Sequence, residues 1–217
     1  MAESNNNELE NDLLAPENFS MVEDGVYRSA FPRSKNISFL RRLGLKSVVA
    51  LIPEDYPTIL TMFYKQCGIK LISVGFDGNK WPFKEIDDLI FYKALRDICN
   101  PKNRPLLVHC NKGKHRTGSI IGCLRRLRGW SLSSTVHEYI VFASPKARLE
   151  DQMYIEAFNI DDFNDFCAKN TNNDKNDEDT DDIKEIKFVE EKVEDDIEED
   201  EVEQKPNQKT VINLFNM

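Results

Sequence analysis

Short apolar runs alternate along the middle of the chain with longer stretches in which apolar residues recur at helical spacing. The runs that predict strands cover residues 25–28, 46–51, 70–74 and 105–108. The stretches that predict helices cover residues 36–43, 58–67, 83–99, 117–127, 133–142 and 146–158. Strands that alternate with helices favour an α/β fold, in which a parallel or mostly parallel sheet carries helices on both faces.

Polar composition separates both ends of the chain from this middle part. Residues 1–15 are rich in Asn and Glu, and residues 169–217 are rich in Asn, Asp and Glu without any core pattern. Segments of this composition cannot bury enough apolar surface to fold by themselves. We therefore predict a disordered N-terminal arm over 1–15, a folded domain over residues 16–168 and an acidic disordered tail over 169–217.

The charge is unevenly divided between these parts. The whole chain has a formal net charge of −9, which argues against a nucleic-acid-binding protein. The tail contains 17 acidic and 7 basic residues, whereas residues 16–168 contain 17 acidic and 22 basic residues. The predicted domain is therefore positive and suits an anionic ligand. The tail either keeps the protein soluble or folds back over the basic site and competes with substrate.

Cysteine usage and hydropathy exclude several classes of protein. The five cysteines are odd in number and widely spaced, which argues against a disulfide framework and against zinc-ligand spacing. No stretch reaches the ~18 consecutive apolar residues of a membrane-spanning helix. The N-terminus lacks the basic and apolar regions of a signal peptide. We expect reduced thiols, no membrane span, and a location in the cytoplasm or nucleus.

The segment over residues 105–118 carries the most chemical information. It reads PLLVHCNKGKHRTG, an apolar strand followed by His109, Cys110, five further residues, Arg116 and a helix start. A loop between the end of a buried strand and the N-terminus of a helix collects backbone N–H groups that favour an anion. The sequence therefore predicts an anion-binding loop with a cysteine at its base.

The residues of this loop suit phosphoryl transfer. The positive field favours the thiolate form of Cys110, which is the nucleophile, and the planar guanidinium of Arg116 can grip two phosphoryl oxygens and stabilise transition-state charge. Gly113 lets the backbone curve around the anion. We expect Thr117 to donate its hydroxyl to the sulfur when the phosphocysteine hydrolyses, and His109 to orient the loop.

Further cations in the same loop point to a substrate with several phosphate groups. Lys112, Lys114 and His115 add positive charge beside Arg116, more than one phosphoryl group needs. With Asn111 and Gly113 they form the predicted substrate-binding set. The alternative interpretation is that the lysines are ordinary solvated surface residues.

The loop resembles the cysteine-dependent phosphatase signature His-Cys-x2-Gly-x2-Arg-Ser/Thr. In detail, the chain is similar to the plant and fungal atypical dual-specificity phosphatases. The similar segments are residues 26–32 (VYRSAFP), 43–48 (LGLKSV), 78–80 (GNK), 109–118, 122–125 (GCLR) and 130–131 (WS). The resemblance implies the cysteine-phosphatase fold, a short central mostly parallel sheet flanked by helices. It also implies activity on inositol pyrophosphates, with weaker activity on phosphoproteins or phosphoinositides.

A carboxylic acid is expected to protonate the leaving oxygen. Asp77 follows directly on a predicted strand and lies where related dual-specificity phosphatases carry their acid. Asp87 and Asp88 are the alternatives, although their place in the first turns of a helix is explained by the helix dipole. Lys80 is expected to reach the substrate from the same loop. Trp81 departs from the family pattern, which has an acidic residue there.

We therefore predict a cysteine phosphatase that removes the terminal (β) phosphate of inositol pyrophosphates through a phosphocysteine intermediate, without metal or organic cofactor. Cys110, Arg116 and Asp77 form the predicted catalytic set. The alternatives are a phosphotyrosine or dual-specificity protein phosphatase, and a module that binds phosphorylated ligands without turning them over. The partners of the tail are not predicted.

Overall fold

A five-stranded sheet forms the centre of the computed structural model, which describes residues 13–76 and 88–170. The strands are β1 (Ser20–Glu23), β2 (Val26–Ser29), β3 (Ser47–Ala50), β4 (Lys70–Ser73) and β5 (Leu106–His109). They lie in the order β1-β2-β5-β3-β4. β1 pairs antiparallel with β2, and all other neighbouring strands pair in parallel. The mostly parallel sheet predicted from the sequence is thus confirmed.

The helices follow the strands as the hydrophobic pattern predicts. In the described ranges, the α-helices are α1 (Ile37–Arg42), α2 (Thr58–Gln66), α3 (Asp88–Cys99), α4 (His115–Leu127), α5 (Leu132–Ala143), α6 (Leu149–Ala157) and α7 (Ile160–Asn170). The first part of the helix predicted over residues 83–99 lies outside the described residues. β1 and α7 were not predicted from the sequence.

The sheet separates two apolar clusters, because successive strand residues point to opposite faces. Val48 of β3 and Leu107 of β5 pack in the cluster that contains the apolar side chains of α1 and α2. Their neighbours Val49 and Val108 pack in the cluster that contains side chains of α3, α4, α5, α6 and α7. β5, flanked by β2 and β3, is buried along its whole length, so whatever follows its last residue begins at the middle of the sheet.

The turn between α5 and α6 is longer than the sequence predicts. The helical pattern predicted a helix from residue 146, but α6 begins at Leu149 after Arg148, whose backbone is extended. The carbonyl oxygen of Lys146 is hydrogen-bonded to the ring of His115 at 2.6 Å. This turn is therefore tied to the loop that follows β5.

Among the residues that the structure describes, no helix combines the length and the apolar character needed to cross a membrane.

Candidate active site

Cys110 lies directly after the central strand. His109, the last residue of β5, pairs with Ser29 of β2 on one side and with Ala50 of β3 on the other. The Cys110 side chain is 4% exposed, at the carboxyl edge of the parallel strands, where open α/β sheets bind their ligands. The cysteine is thus fixed at the base of the loop by the pairing of three strands.

Gly113 allows the loop to pack against the end of β2. Its φ is +64°, a conformation that favours glycine, and a Cβ atom there would lie 2.5 Å from the carbonyl carbon of Ser29 and 2.6 Å from the amide nitrogen of Ala30. The amide of Phe31 also donates to the carbonyl oxygen of Asn111 at 3.2 Å. The midpoint of the loop is therefore held directly on the backbone of residues 29–31.

The N-terminus of α4 closes the loop and is open to an anion. No side-chain hydrogen bond from the described residues caps it at Lys114, so the N–H groups of its first turn remain available. α4 runs for 13 residues, and the positive end of its dipole adds to these donors. The loop and the helix together can hold a phosphoryl group against the sulfur of Cys110.

Arg116 is anchored by one of its two terminal nitrogens. Nη1 donates to the carbonyl oxygen of Leu51 at 2.8 Å and to that of Phe76 at 3.2 Å. Both acceptors lie just beyond the ends of β3 and β4. The guanidinium plane is therefore fixed through Nη1, which suits the bidentate arrangement in which the other donors of an arginine hold phosphoryl oxygens.

Arg28 is a buried arginine beneath the loop, and the sequence did not predict it as a site residue. Its Nη2 donates to the carbonyl oxygen of Gly113 at 3.0 Å, its guanidinium lies 3.8 Å from the centroid of the Phe142 ring, and its Nη1 lies 3.9 Å from Glu138. Burial lowers the pKa of Arg28 to about 10, against the opposing effect of the charges of Glu138 and Cys110. Arg28 therefore remains charged at neutral pH and brings a buried cation to the loop.

Asn18, which was likewise not predicted as a site residue, holds the outer side of the loop through its side-chain amide. Its Nδ2 lies within hydrogen-bond distance of three carbonyl oxygens, those of Lys112 at 3.3 Å, Gly113 at 3.3 Å and Phe142 at 3.0 Å. Its φ is +56°, a conformation that asparagine adopts more readily than most residues. The segment before β1 thus joins the loop to the end of α5.

His109 is neutral and buried rather than an acid or base. Its Nε2 shares a hydrogen bond with the hydroxyl of Tyr56, whose ring packs on Phe31 and Tyr64. Burial, helped by the charge of Arg116, lowers the pKa of His109 to about 3. The imidazole therefore orients the start of the loop without changing its charge in the physiological range.

This shift predicts a pH-dependent stability that belongs to His109. The native pKa of His109 lies below the unfolded value of about 6.5. The contribution of His109 to the free energy of unfolding is therefore complete above pH ~6.5 and is lost as the pH falls toward 3. Between pH 7 and pH 5 the loss is expected to be about 2 kcal/mol. Urea unfolding at both pH values measures it, and the His109→Gln variant, which lacks the titrating ring, should show a fall smaller by that amount. Equal falls in both proteins would contradict the assignment.

The other predicted substrate-binding residues occupy two different settings. Lys114 Nζ donates to the carbonyl oxygen of Ser144 at 2.7 Å, and the His115 ring bonds the carbonyl oxygen of Lys146 at 2.6 Å. Burial lowers the pKa of His115. These two residues connect the loop to the turn between α5 and α6, whereas Lys112 is exposed on the loop surface.

The remaining predicted residues divide between described and undescribed positions. Asn111 is exposed and donates to the carboxylate of Glu54 at 3.2 Å. Thr117 is fully buried, and its hydroxyl has no hydrogen-bond partner in the part of the chain that the structure describes. Asp77 and Lys80 lie outside the described residues.

Comparison with known proteins identifies related sequences and folds. The family model described as "Tyrosine phosphatase family" matches residues 13–179. Inositol diphosphatase SIW14 of Saccharomyces cerevisiae is 49% identical over 166 residues, which are 76% of this chain and 59% of the yeast protein. Inositol diphosphatase DSP4 of Arabidopsis thaliana is 43% identical over 148 residues, which are 68% of this chain and 75% of the plant protein.

A solved structure agrees with these sequence matches. The structure of the Siw14 catalytic core superposes with a TM-score of 0.69 at 50% identity and covers 73% of this chain and 95% of that chain. The chain therefore spans nearly the whole of that catalytic core but less than two thirds of the full yeast protein. The predicted cysteine-phosphatase fold is confirmed.

Proposed function

The chain belongs to the tyrosine phosphatase family. We propose that it hydrolyses the terminal (β) phosphate of inositol pyrophosphates through a phosphocysteine intermediate. The observation that carries the proposal is the place of Cys110 directly after β5, at the start of a loop that leads to the uncapped N-terminus of α4 and to Arg116, whose guanidinium is anchored. The names of the yeast and plant relatives support the choice of substrate, since both are inositol diphosphatases.

The first step transfers the terminal phosphoryl group to the enzyme. The thiolate of Cys110 attacks the terminal phosphorus, an S–P bond forms, and the P–O bond to the bridging oxygen breaks with its electron pair on that oxygen. Arg116 and the amides of the loop and of α4 hold the three non-bridging oxygens and stabilise the spreading charge. Because these donors are fixed before substrate arrives, little reorganisation is needed during the reaction.

Protonation of the departing oxygen is assigned to Asp77. The described alternative, Asp88, accepts a hydrogen bond from the hydroxyl of Tyr154 at 2.8 Å, and its place in the first turn of α3 suits the helix dipole. Asp88 therefore has a structural role that leaves Asp77 as the better candidate. A phosphate leaving group is more acidic than an alcohol, so the demand on this acid is modest for a pyrophosphate.

The second step regenerates the enzyme. Water attacks the phosphorus of phosphocysteine, the S–P bond breaks, and its electron pair returns to the sulfur while orthophosphate leaves. Thr117 suits this step, because its buried hydroxyl lacks any other partner among the described residues and can donate to the departing sulfur. The cycle uses protein groups and water.

A substrate panel tests the proposal. We expect kcat/KM for 5-diphosphoinositol pentakisphosphate to exceed that for phosphotyrosine peptides and phosphoinositides by at least about tenfold, a difference of ~1.4 kcal/mol in transition-state binding. Orthophosphate release at equal enzyme concentration measures all three. A preference for the peptides would instead favour a protein phosphatase, the alternative that the description of the family model suggests.

We also propose that the enzyme works in a reducing compartment, the cytoplasm or the nucleus. Cys67 is a free and exposed cysteine, and Cys99 is free and partly exposed. Accessible cysteines outside disulfides are typical of proteins that stay outside the secretory pathway.

A further inference from the structure

A cavity of about 280 Å³ adjoins the loop that holds Cys110. Asn111 and Lys112, the two residues after the nucleophile, line one side of it, and Arg33, Lys35 and Glu17 line other parts. Its volume lies near the lower end of the range for small-ligand pockets, roughly 300 Å³. The cavity thus adjoins the first part of the catalytic loop, and two loop residues belong to both.

The backbone around this cavity is held in place by hydrogen bonds. Asn36 is buried, its Nδ2 donates to the carbonyl oxygen of Leu14 at 3.0 Å, and its Oδ1 accepts from the amide of Arg33 at 2.8 Å. The amide of Ala30 donates to the carbonyl oxygen of Glu17 at 2.7 Å. These contacts fix the positions from which the charged side chains extend.

The charged side chains around the cavity are mostly basic. Arg33, Lys35 and Lys112 are exposed cations, and Glu17 is the one carboxylate among the lining residues. Three cations against one anion create a positive potential that favours an anionic ligand. Because all three cations are on the surface, their long side chains can turn toward a ligand without a large desolvation cost.

We propose that this cavity is a second anion subsite, which binds the phosphate groups of the inositol ring that are not cleaved. The proposal rests on the proposed function, because it deepens the choice of a polyphosphorylated substrate. The catalytic loop accommodates one phosphoryl group, and a ring that carries several phosphates must place the others nearby. The adjoining cavity offers fixed backbone and three cations at that place.

The subsite also accounts for discrimination between substrates. A small monophosphate ester fills the catalytic loop alone and gains nothing from Arg33 and Lys35. A densely phosphorylated inositol gains ion pairs with both, so the two residues act on one substrate class and not on the other. Electrostatic contacts of this kind are screened by salt, so the preference should weaken as ionic strength rises.

The test compares two substrates in one double variant, Arg33→Ala with Lys35→Ala. We expect the ratio of kcat/KM for 5-diphosphoinositol pentakisphosphate to that for p-nitrophenyl phosphate to fall by about tenfold or more, through a higher KM for the inositol. Lys102→Ala is the matched control, because Lys102 is an exposed lysine just before β5, at the opposite end of the strand from the loop. An unchanged ratio in the double variant would overturn the subsite.

A second measurement keeps the subsite separate from the proposed reaction. Inositol hexakisphosphate has no pyrophosphate bond, so its inhibition of p-nitrophenyl phosphate hydrolysis reports binding alone. We expect the inhibition constant to rise by about tenfold in the double variant and to stay unchanged in Lys102→Ala. If the wild type fails to cleave the pyrophosphate but shows this pattern, the proposed function is wrong and the subsite stands. If the double variant and the wild type are inhibited equally, the subsite is wrong.

Discussion

Cys110→Ser is expected to lower the turnover of every phosphorylated substrate by at least about 10⁴-fold while ligand binding survives. A serine hydroxyl scarcely ionises at neutral pH, so the loop would hold the phosphoryl group without a nucleophile to attack it. The side chain at this position is 4% exposed, and serine fits the space that cysteine leaves. Orthophosphate release measures turnover, and calorimetric titration with inositol hexakisphosphate measures binding.

Cys123→Ala provides the matched control for this experiment. Cys123 is also fully buried, but it lies within α4, and burial raises the pKa of its thiol well above the ordinary value. It is therefore a core residue rather than a nucleophile, and its variant should keep turnover within about twofold of the wild type. Substantial turnover by Cys110→Ser would contradict the phosphocysteine mechanism. Binding without turnover by the wild type itself would favour the binding-module alternative.

Two elements, β1 and α7, were not predicted, because the sequence pattern of each is weak or resembles that of its neighbours. β1 lies at the sheet edge and buries only Val22, so it shows no apolar run. The pair Asp24-Gly25, with φ of +69° at the glycine, is the hairpin signal that reveals it. α7 begins after Asn159, whose side-chain oxygen accepts from the amide of Asp161 at 2.9 Å, but its acidic residues resemble the tail in composition.

The candidate site could be predicted as far as it is contiguous in the chain. The nucleophile, the glycine and the arginine stand within seven residues of one another, between a strand and a helix that the hydrophobic pattern identifies. The supporting residues could not be found this way, because Arg28 lies 85 residues and Asn18 lies 95 residues from Gly113. Their proximity depends on the parallel pairing of β2 with β5, which periodicity alone does not establish.

A polar residue in a buried strand still carries information. Residues two positions apart in a strand point to the same face of the sheet. In β2, Val26 packs in an apolar cluster, and Arg28, two positions later, is 1% exposed. An arginine in such a register is costly to bury unless it has partners, so its presence signals a functional constraint. The cost is met by the Gly113 carbonyl, the Phe142 ring and Glu138.

Arg28→Met is expected to separate activity from stability. We expect kcat to fall by roughly 100-fold, because the variant loses both the donor that fixes the Gly113 carbonyl and the buried positive charge near Cys110. The free energy of unfolding should change by less than about 1 kcal/mol, since methionine avoids the desolvation cost of a buried cation. Glu138 is not left unpaired, because Arg125 donates to it at 2.8 and 3.2 Å.

Arg104→Met gives the opposite pattern and serves as the control. Arg104 is a partly buried arginine that contacts Glu23 at 2.5 Å and the carbonyl oxygen of Asp24 at 3.1 Å, just before β5 and remote from the loop. Its removal should lower stability by up to about 1 kcal/mol and leave activity unchanged. The alkylation rate of Cys110 by iodoacetamide adds a direct readout of the reactivity of its sulfur, and we expect this rate to fall in Arg28→Met alone. If Arg28→Met instead lost stability in step with activity and kept the alkylation rate, Arg28 would be a packing residue that does not act on the reaction at the sulfur.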